Sequence, residues 1–349
     1  MKSLFSLFEK THKRIYLDYA SITPIDPRVL RHVTKVVEKY PANPGSLYKE
    51  GVEAHTHIEK SRDEVAKILD VHADEIVFTS GGTESNNLAI EGVLKAWKYM
   101  QSKTHAPEYS KPHIVSTTIE HPAVREILLR YQERGECDVT FVSVLENGII
   151  DTKELKLALK PETILVSIMY VNNEIGTIQP IHEVSKIVRQ YKKELGRAVY
   201  GAHAYPYVHT DACQAVLFCP LRVPTLGVDM MTLDSAKFYG PRSTGALYIR
   251  RQTSVEPLMI GGSQEFGMRA GTENCAQISG FAYALRLAVD EQEKEFNRVH
   301  RLHTYMITHL KKIQRVRFNG SLKIDSYKKT ERIPSNINIC KEGLDAEYA

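Results

Sequence analysis

The sequence predicts an α/β fold, a mainly parallel, doubly wound sheet with helices on both faces, followed by a smaller α+β domain. Three observations carry this. From about residue 74, short runs rich in β-branched and aromatic residues alternate with segments of helical period. Glycine and proline mark the joins, as at Gly81-Gly82, Pro122 and Gly135. After about residue 277 the alternation stops, and one long helical stretch, or two, leads into short strand-like runs.

The elements follow in order. "EIVFTS" (75–80) reads as a strand, and "TESNNLAIEGVLKAWKYM" after the Gly-Gly turn as a helix, apolar at Ala89, Val93 and Trp97. "HIVSTT" (113–118) is a second strand. Pro122 opens the helix "AVREILLRYQERG", which Gly135 closes. "DVTFVSV" (138–144) and "TILVSIMYV" (163–171) are strands, and "IHEVSKIVRQYKKELG" (181–196) is a helix. "YVHTDACQAV" (207–216) and "VDMMTLDSA" (228–236) each read as strand then turn, with a further apolar run at Gly245–Ile249. Residues 99–112 and 201–208 are loop-like, and "VRFNG" and "SNINIC" read as strands of the smaller domain. The expected division is an N-terminal segment, 1–25, associated with the small domain, a large domain over 26–280, and a partial small domain over 281–349.

Bulk properties exclude several classes. A chain of 349 residues buries a large core without staples. A net charge of +4, with no basic block interleaved with aromatics, gives no footprint for nucleic acid. Five scattered cysteines without a CxxC suggest neither a zinc ribbon nor a disulfide framework, so no metal site is expected and a reducing, cytoplasmic compartment is. The start, "MKSLFSLFEKTHKR", is broken by Glu9 and Lys10 and reads as a frayed lead-in rather than a signal peptide, and nothing approaches a membrane span.

In a doubly wound sheet, ligands bind beyond the carboxyl ends of the strands. The chemically unusual residues fall at those ends. The Gly81-Gly82-Thr83 turn before a helix suits a phosphate. His121, the Asn172-Asn173 pair, Asp211, Gln214 and Lys237 follow at successive strand ends. Taken singly, each is an ordinary turn or loop residue. Together they form the set that pyridoxal phosphate needs: a phosphate cradle, a flat imidazole, amides, a carboxylate and a lysine. Lysine forms a Schiff base with the aldehyde, a carboxylate keeps the ring nitrogen protonated, and an aromatic ring stacks on the face.

At these residues the chain resembles the class V aminotransferases, and within them the NifS/IscS-type cysteine desulfurases. The resemblance runs in order through "IYLDYASITPIDPRV", "NPGSLYKEG", "EIVFTSGGTESNNLAI", "TTIEHPAV", "VSIMYVNNEIGTIQPI", "HTDACQA", "KFYGPRSTGALYIRR" and "GGSQEFGMRAGTEN". It implies an aspartate-aminotransferase-like fold (PLP-dependent transferase, fold type I) and a homodimer. It also implies removal of sulfur from L-cysteine to give L-alanine and an enzyme persulfide. The sulfur would pass to an acceptor or iron–sulfur scaffold protein, for cluster assembly or tRNA thiolation. The roles carried over place Gly82 and Thr83 on the cofactor phosphate, His121 on the ring face as a proton-transfer aid, and Asn173 and Gln214 on the phenolic oxygen or substrate. Asp211 would face the ring nitrogen, Lys237 would be the Schiff-base lysine, and Thr272 would reach the other subunit's phosphate.

Two departures qualify the resemblance. Asp234-Ser235-Ala236 stands where the family has a triplet that helps hold the phosphate. Ser235 is expected to replace one lost hydrogen bond there, whereas Asp234 near a dianion is unfavourable unless it points away. The chain also ends at "KEGLDAEYA", before the segment that carries the family's nucleophilic cysteine and its carboxylate-gripping arginine, so it reads as a C-terminally truncated, inactive desulfurase. Another class V member, such as a selenocysteine lyase, and a catalytically silent dimer partner stay open as alternatives.

Overall fold

Strands whose residues alternate between two apolar environments build the sheet. In the computed structural model, which describes residues 15–104, 111–327 and 329–343, seven strands pair in the order β1-β7-β6-β5-β4-β2-β3. They are β1 (Ile76–Thr79), β2 (His113–Thr117), β3 (Asp138–Val142), β4 (Thr163–Ser167), β5 (Tyr207–Asp211), β6 (Met230–Asp234) and β7 (Gly245–Ile249). The pairings from β3 to β6 are parallel, and β7 runs antiparallel to both β6 and β1. Every predicted strand forms, but several stop two to five residues early, where the backbone turns to present polar groups at the strand ends.

Ile76, Phe78, Val115, Val166, Val208, Met231 and Tyr248 face one core, with α1 (Pro27–Lys39), α2 (Lys49–Leu69), α6 (Ile181–Glu194) and α8 (Cys275–Leu310) over them. Val77, Ile114, Leu165, Tyr207, Met230 and Leu247 face the other, under α3 (Gly82–Thr104) and α4 (Pro122–Glu133). This period of two in strands covered on both faces is the doubly wound arrangement. Two short helices, α5 (Thr152–Ala158) and α7 (Val223–Leu226), complete the connections.

Two helices begin at side-chain caps that were not singled out in the sequence. Asp26 caps α1 ahead of Pro27, and its carboxylate accepts from the Arg28 N–H at 2.6 Å. Asn274 caps α8 by accepting from the Gln277 N–H at 3.2 Å. The stretch after 275 is one helix of 36 residues, not two. It packs against α1 so closely that a Cβ on Gly280 would stand 2.5 Å from Val33 Cγ2. Beyond it, β8 (Val316–Phe318) pairs antiparallel with β11 (Ile339–Lys341), and β9 (Ile324–Ser326) with β10 (Lys329–Thr330). The second predicted strand of this region thus shortens to three residues. The described part of the N-terminal segment runs along the lysine turn, where the Thr23 N–H donates to the Ala236 carbonyl at 2.9 Å and the Tyr239 N–H to Thr23 Oγ1 at 2.7 Å. The lead-in at 1–14 lies outside the described residues. Among the described residues, no helix is long and apolar enough to cross a membrane.

β1 is an edge strand, and an ion pair meets its open edge. Glu265 accepts from the Phe78 N–H at 2.7 Å, and Arg62 donates to the Ile76 carbonyl at 2.7 Å. The two side chains also bond each other through both carboxylate oxygens, at 2.7 and 2.9 Å. Together they supply the donor and acceptor that a neighbouring strand would give. Burial works against the charge on Arg62, and the carboxylates of Glu265 and Glu59 more than offset it, raising the guanidinium above its ordinary pKa. The pair also holds two consecutive left-handed residues, Glu265 (φ 48°) and Phe266 (φ 58°). Glu265→Gln removes the buried, two-pronged charge partner of the Arg62 guanidinium and leaves it only the half-exposed Glu59 at 3.1 Å. We expect a loss of about 3–5 kcal/mol, read as a lower urea midpoint at unchanged m. A loss below about 1 kcal/mol would mean the pair behaves as a surface bridge.

Candidate active site

The carboxyl ends of β4, β5 and β6 and the first turn of α3 surround a cavity of about 410 Å³. Gly82, Thr83, His121, Asn173, Asp211, Gln214 and Lys237 all line it. Its volume falls within the ordinary range for small-molecule sites. Residues scattered from 82 to 237 meet here because each ends an element directed at the same edge.

Asp211, the last residue of β5, is buried. Its carboxylate accepts from Asn86 Nδ2 at 2.7 Å and from the Cys213 N–H at 3.0 Å. Asn86 was not singled out in the sequence. Its signal there is an amide in the first turns of a helix whose later inner positions are apolar, one turn after the Gly-Gly pair. Behind Asp211, His209 bonds Ser167 Oγ at 2.9 Å and Thr232 Oγ1 at 3.0 Å, and burial lowers its pKa to about 4. It is therefore neutral and leaves Asp211 as the charge of that layer.

Lys237 ends a short 3-10 turn after β6 and donates from Nζ to the carbonyls of Ser21 (2.5 Å) and Ala20 (3.3 Å). Gln214 Nε2 donates to the Ala20 carbonyl at 2.7 Å. The N-terminal strap thereby holds two of the expected residues, through backbone carbonyls of residues 20 and 21 that carry no signal in the sequence. His121 caps α4, its Nδ1 accepting from the Ala123 N–H at 3.1 Å. With Nδ1 as acceptor, Nε2 carries the hydrogen of the neutral ring. Of the amide pair, Asn172 ties the turn by accepting from the N–H groups of Glu174 (2.9 Å) and Ile175 (2.8 Å), and Asn173 lines the cavity.

Two expected residues are elsewhere. Ser235 is fully buried, and its hydroxyl donates to the carbonyls of Pro241 and Thr244 (2.9 Å for the latter), so it does not line the cavity. The strand-to-turn geometry rotates it to the far side. Thr272 is exposed and also does not line this cavity. Asp234 does not point away: it lines the cavity, with Oδ2 accepting from the Gly82 N–H at 3.3 Å.

Two groups are kept protonated. Cys213, against which a Cβ on Gly82 would stand at 2.9 Å, has its thiol pKa pushed well up by burial and by the charges of Asp211 and Asp234. Glu120, buried under the site, accepts from Thr117 Oγ1 at 2.6 Å and from the Met169 N–H at 3.0 Å. Burial, with the charge of Asp211, pushes its pKa up to about 8.

This layout is that of an α/β enzyme of the aminotransferase type, with the chemical groups at one sheet edge and a lysine after β6. The profile of the family Aminotransferase class-V matches residues 15–348. The chain is 41% identical over 336 residues to the cysteine desulfurase IscS of Dictyoglomus turgidum, covering 96% of this chain and 77% of that relative. It is 39% identical to the mitochondrial cysteine desulfurase of Saccharomyces cerevisiae, over 95% of this chain and 61% of that longer relative. Among solved structures, a NifS-like protein superposes with a TM-score of 0.80 at 34% identity, over 90% of this chain and 80% of its own. SspA in complex with cysteine gives 0.68 at 33%, over 78% and 72%. The chain belongs to the class V aminotransferase family, in its cysteine desulfurase branch.

Glu120 gives a prediction with a definite sign. Its folded pKa of about 8 lies above its ordinary 4.5. Between those values the folded chain holds a proton that the unfolded chain has released. Its stabilising contribution is therefore full below about pH 4.5 and is lost as pH rises through about 8. The expected slope is a loss of roughly 1.4 kcal/mol per pH unit in that window. Glu120→Gln should remove that slope in unfolding titrations at a series of pH values. An unchanged slope in the variant would contradict the assignment.

Proposed function

We propose that the chain binds pyridoxal 5'-phosphate through Lys237 and acts on L-cysteine. The observation that carries this is the meeting of Lys237, Asp211, His121 and Gln214 in one cavity beside the first turn of α3. The residues present fit the ring and the aldehyde. A primary amine is held, among the described residues, by two backbone carbonyls, and a buried carboxylate and an imidazole line the same cavity. The solved relative titled as a complex with cysteine supports the substrate.

When bound, pyridoxal 5'-phosphate supplies an electrophilic carbonyl carbon and a ring that accepts electrons. Lys237 Nζ would hold that carbon, then move a proton at the substrate α-carbon once displaced. Asp211, fixed by Asn86, would hold a proton at the ring nitrogen. His121 would lie on the ring face and offer Nε2 for proton transfer. Asn173 and Gln214 would orient the phenolic oxygen or the substrate. Gly82 and Thr83, in the first turn of α3, would face the phosphate, with the Gly82 N–H shared with Asp234 Oδ2 at 3.3 Å.

Given a nucleophilic thiolate to take the sulfur as a persulfide, L-cysteine would give L-alanine, and the sulfur would pass on to an acceptor or iron–sulfur scaffold protein. The cysteine in the cavity does not suit the nucleophile, because the Cys213 thiol is buried and held protonated. The 349-residue chain is therefore proposed to bind cofactor and substrate without releasing sulfide. Residues 26–280 would form the cofactor-holding unit and 281–349 the smaller one. A homodimer is proposed from apolar side chains left on the single chain, Leu47 at 97% and Ile260 at 89% exposed. The five unpaired cysteines suit a reducing compartment, such as the cytoplasm.

Purified protein with added pyridoxal 5'-phosphate should show the visible absorbance band of a lysine-bound pyridoxal group, and Lys237→Ala should abolish it. No band in the unaltered protein overturns the cofactor assignment. Sulfide release from L-cysteine by the 349-residue chain would overturn the reading of Cys213.

A further inference from the structure

A carboxylate of the chain itself meets the N–H groups that the cavity offers to an anion. Asp234 closes β6. Its Oδ1 accepts from the Ala236 N–H at 3.0 Å and its Oδ2 from the Gly82 N–H at 3.3 Å. A Cβ on Gly82 would stand 3.4 Å from that same Oδ2, so the oxygen lies directly over the first turn of α3. The same turn carries Glu84, whose carboxylate accepts from the Ser80 N–H at 2.7 Å and pairs with Arg269 at 3.0 Å. Burial pulls Glu84 up, and those partners more than offset it, so its pKa falls below the ordinary value. The positive end of α3 is thus met by two acidic side chains.

The rest of the wall does not compensate. Asp18 and Asp211 also line the cavity, and among the described residues lining it Lys237 is the one lysine or arginine. The segment before the lysine offers an anion no side-chain donor: Asp234 is an acceptor, Ser235 is turned to the Pro241 and Thr244 carbonyls, and Ala236 has none. An incoming phosphate dianion must displace Asp234 from two N–H groups or lie beside a like charge.

We propose that Asp234 is a specificity-determining residue that competes with the cofactor's phosphate for the first turn of α3. The site gains little from the phosphate and holds phosphorylated and unphosphorylated pyridoxal with similar affinity. This rests on the reading that Lys237 anchors a pyridoxal group, and it adds which part of that group the chain fails to grip.

The test titrates pyridoxal 5'-phosphate and pyridoxal into the unaltered chain, Asp234→Asn and Asp234→Ser, following the absorbance of the lysine adduct. In the unaltered chain the two dissociation constants should lie within about tenfold of each other, about 1.4 kcal/mol. Both variants should tighten pyridoxal 5'-phosphate by at least about tenfold. Pyridoxal should change by less than about threefold, under 1 kcal/mol. A preference of the unaltered chain for the phosphorylated form above about a thousandfold (roughly 4 kcal/mol) overturns the proposal, and decides the matter even if the variants do not fold. Folded variants with unchanged or weaker affinity for the phosphorylated form overturn it equally. Absence of an adduct with either aldehyde in any of the three proteins overturns the Lys237 reading itself, a distinguishable failure.

Discussion

The charge on Asp211 organises the site. A carboxylate buried at the end of a central parallel strand is costly unless it is hydrogen-bonded, and here Asn86 and the Cys213 N–H bond it. Its neighbours adjust to it. Glu120 stays protonated and Cys213 stays a thiol, because burial and the Asp211 charge act in the same direction on both. His209, fully buried in the same strand, is neutral because burial outweighs that charge. Lys237 lines the same cavity.

The fold was legible where periodicity is strong. The seven strands and the helices α3, α4, α6 and α8 follow from short β-rich runs between helical segments, and the doubly wound sheet from their alternation, whereas α1 and α2 lie ahead of that alternation and do not follow from it. What periodicity does not carry is strand direction: β7 is antiparallel because a short turn, not a helix, joins it to β6. Nor does it reveal the guard on the free edge of β1, since Arg62 and Glu265 are 203 residues apart and read as ordinary surface charges. The long helix resolves as one because its only glycine is a packing contact with α1.

The candidate site was legible in its chemistry and less so in its directions. Gly82, Thr83, His121, Asn173, Asp211, Gln214 and Lys237 meet at one cavity because each ends or begins an element at the carboxyl edge of the sheet. Ser235 and Asp234 show the limit. They are adjacent, and the turn after β6 sends the hydroxyl inward and the carboxylate toward α3. Sequence names the residues of a turn, but which side chain faces the ligand depends on backbone torsions set by the whole sheet. Asn86 and the carbonyls of Ala20 and Ser21 matter only once distant segments are brought together.

Borohydride reduction of the chain mixed with pyridoxal 5'-phosphate, followed by peptide mass mapping, tests the central claim most directly. A pyridoxyl group on the peptide containing Lys237, and on no other lysine in comparable yield, is the predicted result. Labelling spread over surface lysines, with Lys237 unmodified, would contradict it.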